Sequence, residues 1–210
     1  MASEKHRTVP LLLKGKHLHH ALGLLTLAWC FALPVQANSD DIAKQAVASG
    51  DSGGKIFAII DKAAATVSVF DATGNRLATS PVLVGQAMGD ESVPGIGERP
   101  MQNIAVHERT TPAGRFASEP GVNLAGETIV WIDYDAAVSM HRLRPSQPSE
   151  KRPARMASAT PLDNRITYGC VNVPVAFYER WILPTFGQTA GVVYVLPETR
   201  PAKDVFHFLR

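Results

Sequence analysis

The sequence holds only two cysteines in 210 residues, and one of them, Cys30, sits in an amino-terminal apolar run. It contains no CxxC pair, no HExxH segment and no glycine-rich phosphate-binding or dinucleotide-binding signature. A zinc site of the usual spacing and a nucleotide-binding fold therefore have no support in the sequence. Long apolar runs are missing too. The longest, Ala21 to Leu33, falls short of the roughly 20 residues that a bilayer-spanning helix needs. Internal repeats and heptads are absent, and so is a dominant charge, with 21 basic and 19 acidic residues giving +2 at neutral pH.

What is present begins with a targeting pattern. Arg7, Lys14 and Lys16 precede the apolar run, which ends at Pro34-Val35-Gln36-Ala37. A basic stretch, an apolar stretch and a small-residue site form the pattern of a secretory signal, with cleavage expected after Ala37. Removing residues 1–37 takes away Cys30 and leaves 17 basic and 18 acidic residues, so the slight basicity of the whole chain is a property of the leader. Nothing global then points to nucleic acid. The expected location is periplasmic or secreted, in association with the cell wall, with no stable membrane span once the signal is cut. The remaining residues suit one domain with its own core.

Residues 38–54 form a polar leader with a short helix at 40–48. Strand-like runs follow at 55–60 and 66–70, and Thr73-Gly74-Asn75 supplies a turn toward a second apolar run at 82–84, which together read as a hairpin. Gly85 to Pro100 reads as an irregular loop. Further strand-like runs occur at 103–108, 128–134 and 136–142, with a bend at Asp135. Residues 145–165 are polar and basic and read as a flexible excursion. Val173-Pro174 opens a short helix that Pro184 and Gly187 stop, and Val192 to Leu196 supplies a last strand. The sum is a mainly β domain over 55–197, with short helices and a tail at 198–210.

Without Cys30, Cys170 is the single thiol, so no internal disulfide is available to it. Packing, metal ligation, intermolecular pairing and thiolate chemistry remain open. A nucleophilic reading needs a base, and His141, at the end of the alternating run Ala136 to Met140, is the candidate. His107 and His207 compete for that role. Gly169 beside the cysteine permits close approach or an unusual backbone angle, leaving amides free to face an oxyanion. Asn172 has an amide able to orient a carbonyl or to fix the loop.

Two segments resemble a known family. Thr111-Pro112-Ala113-Gly114-Arg115-Phe116 is similar to the TPxGxF segment of YkuD-type L,D-transpeptidase catalytic domains, and Thr167-Tyr168-Gly169-Cys170-Val171-Asn172 to their [ST]HGC-hydrophobic-[RN] segment. The resemblance implies a YkuD-like β-sandwich, Cys170 as acylated nucleophile, His141 as its base and Gly169 as a backbone contributor. It implies Thr167, Tyr168, Asn172 and Arg142 as substrate-contacting positions, peptidoglycan stem peptides as partners, and no metal or organic cofactor. Tyr168 departs from the family histidine and Arg142 from a common glycine, and the excursion 145–165 lengthens the interval between His141 and Cys170. The implied reaction is acyl transfer through a thioester to a 3→3 cross-link. Hydrolysis on the same scaffold and a catalytically weak wall-binding protein are the alternatives.

Overall fold

Asn38 starts the first element: its side chain accepts the Asp40 N–H at 3.0 Å, and two aspartates occupy the first turn of the helix that follows. The computed structural model describes residues 38–144 and 146–210, so the expected signal segment lies outside the described residues. In chain order the elements are α1 (Ser39–Ala48), β1 (Phe57–Asp61), β2 (Thr66–Phe70), β3 (Arg76–Pro81), β4 (Val84–Gly85), β5 (Gly114–Val122), β6 (Thr128–Asp133) and β7 (Val138–Arg142). After them come α2 (Arg152–Met156), β8 (Arg165–Thr167), β9 (Val171–Val173), α3 (Val175–Phe177), α4 (Leu183–Phe186) and β10 (Gly191–Val195).

Eight strands form one sheet in the order β3-β2-β1-β10-β5-β6-β7-β9, and β4 pairs with β8 apart from it. The long β5 joins the two halves, because Gly114 to Ser118 pair with β10 and Glu119 to Val122 pair with β6. Ala58, Ile60, Val67 and Val193 of one half share a core with Val130, Met140, Val171 and Val173 of the other. The sheet thus folds over itself and buries two alternating inner faces, as a sandwich does. Leu83 and Asn172 exchange backbone hydrogen bonds at 3.0 and 2.9 Å, which ties the segment after β3 to β9. On the outer face of the first half, Ile42 and Ala46 of α1 and Phe206 near the C-terminus cover Phe57, Phe70 and Tyr194. The mainly β class read from the sequence is the class observed.

Four expectations need correction. The second hairpin strand is Arg76–Pro81, not the apolar run at 82–84. Val82, Leu83 and Val84 are wholly buried; Leu83 bridges Asn172 and Val84 opens β4, so the run crosses the core without pairing with β2. The run at 103–108 consists of two single helical turns, Met101–Asn103 and Val106–Glu108, and its β-branched residues do not meet a partner strand. Pro184 does not end the last helix. Tyr178–Ile182 forms a wide π turn just before it, where the ladder has no need of a proline N–H, and α4 continues to a cap at Gly187. The excursion, over its described residues 146–165, is built: Arg155 bonds the carbonyls of Glu150 and Asp163, each at 3.0 Å, and Met156 is buried.

Candidate active site

β7 and β9 run side by side in parallel, with Met140 opposite Val171 and His141 opposite Asn172. Side chains alternate along a strand. Val138, Met140, Val171 and Val173 therefore enter the core, which leaves Ser139, His141, Cys170 and Asn172 together on the other face. Cys170 Sγ lies 3.7 Å from Ser139 Oγ and 3.6 Å from the Ala137 carbonyl oxygen. His141 is its diagonal neighbour. The imidazole Nδ1 is 2.8 Å from the Arg142 carbonyl oxygen, which only accepts, so Nδ1 carries the proton. Nε2 faces the Asn172 amide nitrogen at 3.3 Å, and the amide oxygen accepts from Arg152 Nη1 at 2.8 Å. Neither ring nitrogen is bonded to Cys170.

The two sequence segments meet at the turn before Cys170. Gly169 has φ of +135°, and a Cβ there would stand 2.7 Å from the Thr110 carbonyl oxygen, so only glycine fits. Thr111 Oγ1 donates to the Gly169 carbonyl at 2.7 Å and accepts from the Gly85 N–H at 2.9 Å. Thr167 Oγ1 accepts the Gly169 N–H at 3.1 Å and donates to the Cys170 carbonyl at 2.7 Å. Both threonines are buried, and both are consumed in bracing the turn.

Cys170 opens onto a cavity of about 150 Å³ whose walls include Tyr168, Arg99, Met101, Thr110 and Ala137. The Arg109 guanidinium stacks 3.9 Å from the Tyr168 ring centre and donates to the Ile104 carbonyl, which fixes the phenol's plane. A second cleft of about 490 Å³, with Trp131, Tyr134, Glu98 and Asp135 around it, shares Gly97 and Ala137 with the first. The Gly85 to Pro100 loop borders both. It is pinned from behind by a buried ion network: Lys62 Nζ bonds Asp90 at 2.8 Å, and Glu198 pairs with Arg165. Burial alone would push the Asp90 carboxyl up, but bonds from Lys62, Thr199 and the Glu198 and Thr199 amides hold it down at about 2.

Burial lowers the pKa of His141; its bond to the Arg142 carbonyl and the charge of Glu127 oppose this, while the charges of Arg144 and Arg152 add to it. The site thus favours a neutral imidazole whose Nε2 electron pair faces the Asn172 N–H. Arg142 is not brought to this face. It pairs with Glu179 and lies 4.4 Å over the Tyr178 ring. His107 and His207 are exposed. Sequence reading passed over Ser139, although the alternation Val138-Ser139-Met140-His141 already places it on the histidine's face. It also passed over Arg152 and Arg109, whose contacts span 20 and 59 residues and leave no local pattern.

No protein-family model matches the chain, and no match among curated proteins was found. Solved structures give weak likenesses. An L,D-transpeptidase from Mycobacterium smegmatis is 17% identical with a TM-score of 0.42, over 67% of this chain and 58% of that one. The helical cell shape determining protein Pgp2 from Campylobacter jejuni is 13% identical with a TM-score of 0.45, over 77% of this chain and 56% of its own. The catalytic domain of an E. faecium L,D-transpeptidase is 16% identical with a TM-score of 0.40, over 68% and 98%. The alignments thus span less than two thirds of the first two proteins.

Proposed function

We propose that this protein is an exported cysteine acyl-transferase of the L,D-transpeptidase type, acting on peptidoglycan stem peptides. The observation that carries the reading is the parallel register of β7 and β9, which sets Cys170 and a neutral His141 on one face beside a turn that only glycine allows. The two sequence segments that resemble the family converge on that same turn through Thr111 and Gly169.

In this reading the donor is a tetrapeptide stem, and the bond between its diaminopimelate and terminal D-alanine enters the Cys170 cavity. Rotation of the Cys170 side chain away from Ala137 brings the thiol toward Nε2, which takes the proton as the Asn172 N–H gives way. The Arg142 carbonyl accepts from Nδ1 throughout and so stabilises the imidazolium that forms. Sulfur adds to the carbonyl carbon. The carbon–nitrogen bond breaks, His141 returns the proton to the departing amine of D-alanine, and a thioester remains. A side-chain amine of a second stem then attacks the thioester, gives its proton to His141, and restores the thiol as the 3→3 cross-link forms. Water in place of the amine gives carboxypeptidase chemistry. The second cleft, contiguous with the first through Gly97 and Ala137, offers room for an acceptor stem and favours transfer.

The test is incubation of the wild type and Cys170→Ala with defined tetrapeptide muropeptides, followed by mass spectrometry of protein and products. The expected result is a wild-type adduct lacking D-alanine and a new 3→3 linkage, neither of them in Cys170→Ala. Turnover that survives the substitution overturns the cysteine mechanism, and shortened peptides without new linkages assign hydrolysis instead.

A further inference from the structure

The bonds around His141 form a chain with a single allowed direction. Arg152 begins it, because a guanidinium only donates. Its Nη1 donates to Asn172 Oδ1, so the Asn172 NH2 must point the other way, and there it meets His141 Nε2. A donor facing Nε2 requires that nitrogen to be bare. The Arg142 carbonyl ends the chain, because a carbonyl only accepts, and it takes the proton on Nδ1. Asn172 is buried and both ends of its amide are occupied, so Arg152 at one end and His141 at the other choose its orientation together.

We propose that Arg152, supplied by the excursion between β7 and β8, is a positioning residue that sets the Asn172 amide and through it keeps His141 in the neutral form with the proton on Nδ1. The proposal rests on the reading of His141 as the base of Cys170. The excursion is then part of the catalytic support. Glu150 holds Arg152 at 2.6 Å, and Arg155 clamps the segment to itself through the Glu150 and Asp163 carbonyls. Without Arg152 the amide is free to turn over. Its oxygen would then face Nε2 and accept a hydrogen bond from a protonated Nε2–H, which favours the imidazolium and removes the base. The Asn172 N–H is a placeholder that guards the electron pair until the thiol proton arrives.

The groups facing His141 allow this to be separated from simple repulsion between charges. Arg144, just past β7, and Arg152, on α2, disfavour its protonation, while Glu127, before β6, favours it. Arg144 is paired with Glu127 as Arg152 is with Glu150, but Arg144 makes no bond to Asn172. If charge alone acted, Arg144→Met would shift the histidine at least as far as Arg152→Met. The amide relay reverses that order.

The experiment is an NMR titration of the His141 imidazole nitrogens in the wild type, Arg152→Met, Arg152→Gln and Arg144→Met, with amide spectra showing that each is folded. The wild type is expected to carry its proton on Nδ1. Arg152→Met is expected to raise the pKa by about one unit, more than Arg144→Met does, and Arg152→Gln, which keeps an N–H for Asn172 Oδ1, to raise it less than Arg152→Met. A wild-type proton on Nε2, or an Arg152→Met shift no larger than that of Arg144→Met, overturns the proposal. Should Arg152→Met not fold, Asn172→Ala removes the placeholder directly, and an unchanged His141 pKa there overturns it equally. The titration needs no substrate. Failure of the wild type to form an acyl adduct would sink the transferase reading while leaving the titration to decide the relay.

Discussion

Replacing Gly169 by alanine tests the turn on which the site depends. Two costs separate cleanly. The first is conformational, since φ of +135° lies where side-chain-bearing residues are strained, at about 1–3 kcal/mol. The second is steric. The added carbon would stand 2.7 Å from the Thr110 carbonyl oxygen and 3.3 Å from Val138 Cγ2, and the first of these is backbone held by the Thr111 to Gly169 bond. Such overpacking costs about 1–3 kcal/mol more. The expected loss is therefore roughly 2–6 kcal/mol, and at ~2–4 °C per kcal/mol for a domain of this size it lowers Tm by about 4–24 °C.

Gly53→Ala is the control. Its φ of +66° is also left-handed, but nothing lies within 4 Å of the new carbon. It carries the conformational cost alone, about 1–2 kcal/mol. Urea denaturation of both variants, with the rate of Cys170 labelling by a thiol reagent in the folded state, gives the comparison. The larger loss is expected at Gly169, with a changed labelling rate because the cysteine moves with the turn. Equal losses for the two variants, with labelling at Gly169→Ala unchanged, would refute the argument that close approach to Thr110 fixes the thiol.

Three further outcomes follow from named contacts. Asp90→Asn leaves Lys62 buried without its nearest carboxylate, and a loss of about 3 kcal/mol in denaturant unfolding is expected, with part of it recovered when Lys62→Met is added; a loss below ~0.5 kcal/mol would contradict the pinning of the loop. For pH, the lowered His141 means that the unfolded chain binds protons first, so its contribution to stability is present above about pH 6.5 and drains as pH falls below that. Asp90, held at about 2 from an ordinary 3.8, adds a separate loss as pH falls from about 4 toward 2; unfolding free energies that stay flat from pH 7 to 3 would rule out both. Arg109→Ala frees the Tyr168 ring face, with an expected cost of about 0.5–2 kcal/mol and faster exchange of the Tyr168 ring signals by NMR, whereas unchanged signals would mean that the stack does not hold the phenol.

Legibility in the sequence followed the range of the physics. Thr66-Val67-Ser68-Val69-Phe70 announces β2 because period two is local, and the same period in Val138 to Arg142 delivers His141 to a strand end. Gly169 was legible as a special position because glycine marks backbone freedom, although the obstacle it avoids, the Thr110 carbonyl, is 59 residues away. Val82 to Val84 misled for the opposite reason: complete burial produces an apolar run whether or not a partner strand is present. β5 was hidden because its nine residues include Pro120 and two glycines and serve two different neighbours, so no single alternation runs through it.

The excursion shows where composition fails altogether. Its prolines and basic residues have the content of a mobile loop, and the energetic reason for order lies in contacts that composition does not show: Met156 is buried, Arg155 bonds two carbonyls of the segment itself, and Arg152 bonds an asparagine 20 residues on. A polar segment orders when each of its donors finds an acceptor that would otherwise be buried unpaired, because that pairing offsets the chain entropy lost. Asn172 supplies such an acceptor only because β9 lies beside β7 and His141 has already claimed the other end of its amide. The excursion's order is therefore a consequence of the Cys170 and His141 strand pair, and a substitution at Asn172 should loosen residues 146–165 as surely as it disturbs the histidine. Hydrogen exchange in Asn172→Ala reads this directly, with faster exchange expected in the Arg155 and Ala157 amides, and unchanged protection there would mean that the excursion folds on its own.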